Sequence, residues 1–175
     1  MGGDQRAPSG NGDGAPALDP ALVADTPILG GLPDHALSRL VDAARVVRLD
    51  TGEVVIREGE PPRGMFIVRE GELEICKRGR NGNEFCLAVL RPGDCVGEMS
   101  LIDIQPRSAT VRALRPSVLY VLDHAEIARL YQTDVQVYLM LVLNIAREIS
   151  RRLRRADDVL VDMGVAVQGL WNDDP

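Results

Sequence analysis

From residue 46 to residue 123 the sequence consists of short runs rich in β-branched residues, and Gly, Pro, Asn or Asp separates each run from the next. Short strands that recur about every 8–12 residues, with turn residues between them, are typical of β-sandwiches and β-barrels. The predicted strands are residues 46–49, 54–56, 65–68, 73–77, 85–90, 110–114 and 118–122. Residues 77–83 form the predicted tip of a hairpin, in which Asn81 and Gly82 supply the positive φ angles.

Helical spacing of apolar residues appears on both sides of the predicted strands. Residues 34–46 form one predicted helix, for which Asp34 is the expected N-cap. Asp123 is expected to cap a second helix, and a long helix is predicted over residues 133–163. Segment 137–146 is apolar on nearly every side, so it requires a cover on more than one face. We therefore expect a homodimer through the 133–163 helix, with the surplus apolar surface at Tyr138, Val142, Ile145 and Ile149.

The charge balance narrows the classes of function. Lys and Arg number 20 against 26 Asp and Glu, which gives a formal net charge of -6, whereas nucleic-acid-binding proteins usually carry a basic surplus. Nucleic acid is therefore not an expected partner. No apolar run reaches the length of about 18 residues that a membrane-spanning helix needs, and residues 1–20 lack the apolar segment of a secretory signal. These observations predict a cytoplasmic protein without a membrane partner.

Composition along the chain sets the expected domain boundaries. Residues 1–19 are rich in Gly, Pro, Asp and Asn, so they are predicted to be a disordered tail. The folded domain is expected over residues 20–163, and residues 164–175 are expected to be a C-terminal tail.

The three cysteines form no CxxC pair, and we expect all of them to be small core residues on strands, without a disulfide or a metal: Cys76, Cys86 and Cys95.

One stretch, residues 91–112, brings together groups that suit an anionic ligand. Gly97 permits a close approach of the backbone to a ligand, and the residues after it open a short helix whose free N–H groups attract an anion. Arg107 follows, and its guanidinium fork suits a phosphate. The carboxylate of Glu98 suits a sugar hydroxyl. The expected ligand therefore carries a phosphate and a sugar hydroxyl close together.

This stretch resembles the phosphate-binding cassette of the cyclic nucleotide-binding domain family, which is shared by the bacterial catabolite activator protein, regulatory subunits of cyclic-AMP-dependent kinase and cyclic-nucleotide-gated channels. The resemblance extends over about residues 20–160 and implies a jelly-roll-like β-barrel, with N-terminal helices and a long C-terminal helix. Pro62 and Cys95 depart from the family pattern without touching its charged groups. The matching segments are residues 55–60, 65–68, 71–73, 96–101 and 107–111.

The resemblance also implies roles for individual residues. Glu98 is expected to hold the ribose 2′-hydroxyl with the help of the Gly97 amide, and Arg107 to hold the cyclic phosphate with amides near Ser100 and Ser108. No catalytic residue and no metal ligand is predicted. The implied structural turn glycines are Gly59 and Gly71. The full set of predicted ligand-binding residues is Gly97, Glu98, Met99, Ser100, Arg107, Ser108 and Ala109.

Cyclic AMP is the ligand that the resemblance favours, because Ser108 follows the arginine as in the bacterial activator. Cyclic GMP stays open, since Ser can partly imitate the Thr found there in kinases that prefer cyclic GMP. No nucleophile–base pair is recognisable beside the cassette, so neither an enzyme nor a further cofactor is expected. The predicted function is a cyclic-nucleotide sensor that signals through an unknown effector protein.

The sequence leaves two other functions open. The first is a DNA-binding transcriptional regulator of the catabolite activator type that lacks the usual helix-turn-helix domain, because only about 12 residues follow Met163. The second is a ligand-free dimeric scaffold. The arginines at residues 147 and 151–155 are interpreted mainly as the solvated end of a helix. A nucleic-acid patch or a lid over the base, near Arg152 and Leu153, is the alternative.

Overall fold

The computed structural model describes residues 26–172, with side chains as far as residue 164. The tail predicted for residues 1–19 lies outside the described residues. The strands are β1 (Arg45–Leu49), β2 (Val54–Ile56), β3 (Gly64–Glu70), β4 (Leu73–Arg78), β5 (Glu84–Leu90), β6 (Cys95–Val96), β7 (Thr110–Ala113) and β8 (Ser117–Asp123). The helices are α1 (Asp34–Ala43), α2 (His124–Thr133) and α3 (Val135–Asn172), with 3₁₀ helices at Pro27–Leu29 and Glu98–Leu101.

The strands form two antiparallel four-stranded sheets, in the orders β1-β8-β3-β6 and β2-β7-β4-β5. Apolar side chains of both sheets form one core cluster, in which Val68, Leu73, Val111 and Leu119 are buried. The predicted jelly-roll-like β domain is confirmed, as two sheets that are not joined into a closed barrel. Every predicted strand is present, with bounds within two residues of the prediction. Strand β6 was not predicted, because two residues show no periodicity.

The β4–β5 hairpin turns where the sequence predicts it, but one turn residue differs from the prediction. Gly82 has a φ of 83°, whereas none of the described residues other than glycine has a positive φ, so the prediction for Asn81 is wrong. Its Oδ1 instead accepts a hydrogen bond from the backbone N–H of Asn83 at 3.1 Å, which is an Asx turn. Gly59 and Gly71 have φ angles of 84° and 93°, as expected for structural turn glycines.

The helices pack on the sheet β1-β8-β3-β6 and form a second core cluster with it. Leu40 of α1, Leu130 of α2 and Leu141 of α3 lie in this cluster with Met65 of β3. Asn144 is also buried on α3, and its amide donates to the backbone oxygen of Gly30 at 2.8 Å. This bond ties the long helix to the segment before α1, so the helices and the sheet form one unit.

The N-termini of α1 and α2 differ from the capping that the sequence predicts. The N-cap prediction for Asp34 is wrong, because Asp34 is already the first helical residue of α1 and Pro33 precedes it as the cap. Asp123 is the N-cap residue of α2 as predicted, but its side chain makes no capping hydrogen bond. Its carboxylate accepts two hydrogen bonds from Arg45 on β1, at 3.0 and 3.2 Å. A tertiary ion pair has therefore replaced the local cap.

Helix α3 turns a different face inward from the one the sequence suggested. Ile145 is fully buried, so the prediction that it belongs to a dimer surface is wrong. Tyr138 and Ile149 are partly buried and pack against the domain's own core. Leu139 and Leu143 on the opposite side are 48% and 54% exposed. The helix also continues past residue 163, where the sequence placed the end of the domain. That domain boundary stays a prediction.

The cysteines do not share one environment. Cys76 and Cys95 are buried as predicted, but Cys86 is exposed, so the core assignment of Cys86 is wrong. The reason is its position on β5, which is the edge strand of its sheet. Among residues 26–172, no helix is both long enough and apolar enough to cross a membrane.

Candidate ligand-binding site

A cavity of about 220 Å³ lies between residues 97–109 and the sheet β2-β7-β4-β5. A volume of this order suits a small molecule. All seven residues predicted to bind a ligand line this cavity, together with Arg152 from α3. Besides Met99 and Ala109, the apolar residues of the lining are Ile56, Ile75, Val96, Pro106 and Val111.

Gly97 shapes the entrance to the 3₁₀ helix Glu98–Leu101. Its φ is 82°, in the left-handed region, and it occupies the N-cap position of this helix. A Cβ at Gly97 would overlap Nη1 of Arg107 and would lie 3.1 Å from the backbone oxygen of Gly64. Glycine is therefore required twice, for the backbone conformation and for the close approach of the guanidinium.

The guanidinium of Arg107 is anchored from two sides in the half-buried wall of the cavity. Nη1 donates to the backbone oxygen of Gly97 at 3.1 Å and Nη2 to that of Gly64 at 2.6 Å. The backbone of Arg107 pairs with the turn at Gly59 and Glu60, through hydrogen bonds of 2.8 and 2.9 Å. Burial lowers the pKa of Arg107, but an arginine stays charged in proteins. An anion beside it would therefore interact with a fixed, partly desolvated cation.

Glu98 carries a buried carboxylate that is only half satisfied. The residue is 2% exposed, and Oε1 accepts a hydrogen bond from Nη1 of Arg152 at 3.0 Å. Oε2 is buried and finds no hydrogen-bond partner among the described residues. Burial raises the pKa of Glu98, and the charge of Arg152 opposes that rise. A hydroxyl donor brought by a ligand would satisfy the second oxygen, whose unmade hydrogen bond costs about 1–3 kcal/mol.

Arg152 lines the cavity although the sequence did not place it among the predicted ligand-binding residues and gave it only as an alternative, near a lid over the base. Besides its bond to Glu98, its Nε donates to Glu148 at 3.0 Å and its Nη2 to the backbone oxygen of Cys95 at 2.5 Å. Its side chain is 27% exposed, so the interpretation as a solvated helix end is wrong for this arginine. The spacing of Glu148 and Arg152 is visible in the sequence. The pairing with Glu98 spans 54 positions and is not.

Ser100 and His124 form a hydroxyl–imidazole pair that the sequence analysis did not recognise. Ser100 Oγ lies 2.9 Å from Nε2 of His124 and donates to the backbone oxygen of Gly97 at 2.7 Å. Because the serine proton points to that carbonyl, the imidazole acts as the donor toward Oγ. The pair therefore links the 3₁₀ helix Glu98–Leu101 to the first residue of α2. Burial lowers the pKa of His124.

The arrangement as a whole offers three kinds of contact to a small molecule. Arg107 offers a cation for an anionic group, and Glu98 offers an acceptor for a hydroxyl. The aliphatic side chains Ile75 and Val111 offer an apolar surface for a ring. This combination suits a ligand that joins an anion, a hydroxyl and a ring within a few ångströms.

Comparison with known proteins gives consistent matches. The family model described as "Cyclic nucleotide-binding domain" matches residues 46–134. The cAMP-dependent protein kinase regulatory subunit of Blastocladiella emersonii is 33% identical over 93 residues, which cover 53% of this chain and 23% of that protein. The CRP-like cAMP-activated global transcriptional regulator of Mycobacterium tuberculosis is 26% identical over 142 residues, which cover 81% of this chain and 62% of that protein.

The solved structures agree on the fold. The structure of a cyclic nucleotide-binding domain from Methylobacillus flagellatus is similar, with a TM-score of 0.74 and 21% identity over 82% of this chain and 80% of that chain. This likeness establishes the arrangement of strands and helices. The chain spans less than two thirds of the length of both curated relatives, with 23% of the kinase subunit and 62% of the regulator.

Proposed function

The chain belongs to the cyclic nucleotide-binding domain family, and we propose that it is a cytoplasmic sensor of cyclic AMP that signals through a partner protein. The observation that carries this proposal is the placement of Arg107 and the half-satisfied Glu98 in the wall of one cavity. Cyclic AMP is favoured over cyclic GMP because the two curated relatives described above are named for cAMP. The proposal includes neither a catalytic step nor a further cofactor.

Each part of the ligand has a complementary group in the cavity. The cyclic phosphate carries one negative charge, which Arg107 compensates with the N–H groups that its two carbonyl bonds leave available. The ribose 2′-hydroxyl donates to Oε2 of Glu98, the buried oxygen without a partner. The purine lies toward the apolar side chains and Met99, which is 53% exposed at the rim. Ser100, Ser108 and Ala109 complete the wall around the phosphate.

Arg152 provides a route from the ligand to the long helix. Its guanidinium joins Glu98 of the cavity to Glu148 of α3, so a hydroxyl bound to Glu98 changes the electrostatic environment of Arg152. We expect ligand binding to strengthen the contact of the 3₁₀ helix with α3 and to shift a pre-existing equilibrium of the helix. An effector that contacts α3 would then detect the occupied state.

The proposal also includes a homodimer through α3. A row of positions on the outer side of this helix, all exposed except the half-buried Ser150, recurs at alternating spacings of four and three residues, which is the heptad pattern of a coiled coil. Four of these positions are leucines that are 48–65% exposed. Without a partner, this row leaves an apolar stripe in water. The positions are Leu139, Leu143, Ala146, Ser150, Leu153, Asp157 and Leu160.

Isothermal titration calorimetry with cyclic AMP, cyclic GMP and a cyclic dinucleotide tests the ligand assignment. Arg107→Ala leaves a buried phosphate charge with only backbone donors, so affinity should fall by about 2–5 kcal/mol, or roughly 30- to 4000-fold. Arg107→Lys should also weaken binding, because an ammonium cannot copy the planar fork. Glu98→Gln keeps an acceptor without its charge and should cost about 1–2 kcal/mol.

Arg115→Ala is the matched control, because Arg115 pairs with Glu72 and is 61% exposed. This variant should bind cyclic AMP with unchanged affinity. A folded Arg107→Ala protein with wild-type affinity would contradict the site. If no cyclic nucleotide binds or raises the melting temperature of the wild-type protein, the chain is instead a ligand-free scaffold. A salt-dependent affinity for duplex DNA would favour the regulator alternative.

A further inference from the structure

Cys76 and Cys86 occupy directly opposite positions on β4 and β5. The register of these strands shifts by one residue between Ile75 and Cys76, so that Leu87 is passed over and Cys86 becomes the partner of Cys76. Opposite residues of an antiparallel pair have Cα atoms about 4.5–5.5 Å apart, within the range of about 4.4–6.8 Å that disulfides span. The bulge thus pairs the two cysteines directly, at a Cα spacing typical of antiparallel strands and within the reach of a disulfide.

Both side chains lie on the same face of the sheet. Ile75 and Val111 point into the ligand cavity, so alternation along β4 turns Cys76 to the outer face. Arg112 on β7 defines this outer face, because it pairs with Glu74 of β4 and, at 2.7 Å, with Glu84 of β5. Glu84 lies two positions from Cys86 and therefore on the same side of β5 as that thiol.

The two thiols differ in their exposure to solvent. Cys86 is exposed, whereas Cys76 is 1% exposed despite its place on the outer face. Burial raises the pKa of Cys76, and the charge of Arg112 acts in the opposite direction. An oxidant in solvent therefore reaches Cys86 first, and Cys76 is the neighbouring thiol that can react second.

We propose that Cys76 and Cys86 are a redox modification site, at which a peroxide converts the dithiol into a cross-strand disulfide. The peroxide oxidises the sulfur of Cys86 to a sulfenic acid and releases one water. The sulfur of Cys76 then attacks that sulfur, so the S–S bond forms, the S–O bond breaks and a second water leaves with the Cys76 proton. In total, two thiols and one hydrogen peroxide give one disulfide and two waters. A dithiol reductant reverses the modification.

Peptide mapping of the full chain after treatment with hydrogen peroxide tests this proposal. Free thiols are alkylated, and the protein is cut with trypsin and with a protease that cleaves before Asp. Cys76 then lies in residues 70–77, Cys86 in residues 81–93 and Cys95 in a separate peptide that begins at Asp94. We expect a linked pair of the first two peptides, which dithiothreitol separates. The number of free thiols should fall from three to one.

Two variants make the test specific. Cys86→Ser removes an exposed thiol, so it should fold normally and should form no linked peptide. Cys95→Ala should retain the link, because Cys95 is buried on the other sheet. Cys86 that is over-oxidised or joined to a second chain while Cys76 remains alkylated would overturn the proposal. A link that appears only after the protein has been unfolded would overturn it as well.

Discussion

Replacing Arg152 by Ala is expected to destabilise the fold by an amount that depends strongly on pH. The side chain of Glu98 is 3% exposed and loses its hydrogen-bond donor. Glu148 loses one partner but keeps Arg151 at 2.7 Å, so Glu98 bears most of the change. Removing one partner of a buried ion pair costs about 3–5 kcal/mol.

Proton uptake by Glu98 limits this cost. From the ordinary pKa of 4.5, protonating a carboxylate costs about 3.4 kcal/mol at pH 7 and about 1.4 kcal/mol at pH 5.5, since each unit corresponds to about 1.36 kcal/mol. Burial already raises the pKa of Glu98 in the wild type, and the loss of Arg152 raises it further. When the pKa of a carboxyl is higher in the folded than in the unfolded protein, the protein becomes less stable as the pH rises. The variant should therefore regain stability as the pH falls toward 4.5.

Urea unfolding at pH 7.0 and pH 5.5, at one protein concentration, measures this difference. Arg151→Ala is the control, because Arg151 bonds the same Glu148 from a side chain that is 41% exposed. That variant should lose less than about 1 kcal/mol. If Arg152→Ala is no less stable than Arg151→Ala at pH 7, or if its loss is equal at both pH values, the Glu98–Arg152 argument is refuted.

Three further predictions concern other parts of the molecule. Gly97→Ala should lose at least about 1–2 kcal/mol from its left-handed backbone and should bind nucleotide more weakly, because its methyl displaces Arg107; urea unfolding and calorimetry check both effects. The wild type should lose stability as the pH falls below 6.5, since burial lowers the pKa of His124, and His124→Gln should remove this loss. If the free energy of unfolding changes equally in the wild type and the variant between pH 7 and pH 5, this prediction is contradicted. Leu143→Glu should convert a dimer into a folded monomer in sedimentation, because Leu143 is exposed on its own domain. A wild-type protein that sediments as a monomer at roughly tens of micromolar would contradict the dimer.

The sequence alone determined the predicted strands and the central residues of the site, because both are recognisable from short stretches of neighbouring residues. Each predicted strand is a short run rich in β-branched residues, and the turns between the runs carry Gly, Pro, Asn or Asp. Gly97, Glu98 and Arg107 lie within one short stretch, so their chemistry and spacing are visible without a fold. The structure then placed all seven predicted residues around one cavity.

Only the tertiary structure decided which side chains complete these local patterns. Arg152 belongs to an arginine-rich helix end, and nothing nearby in the sequence separates it from Arg151, yet packing of α3 brings it to Glu98 across 54 positions. The segment 137–146 is apolar on most sides, so its periodicity could not select the inward face. Packing against the sheet buried Ile145 and left Leu143 in solvent. Cys86 is exposed for the same reason, since residue type reports apolar character but only the order of strands decides which strand forms the edge.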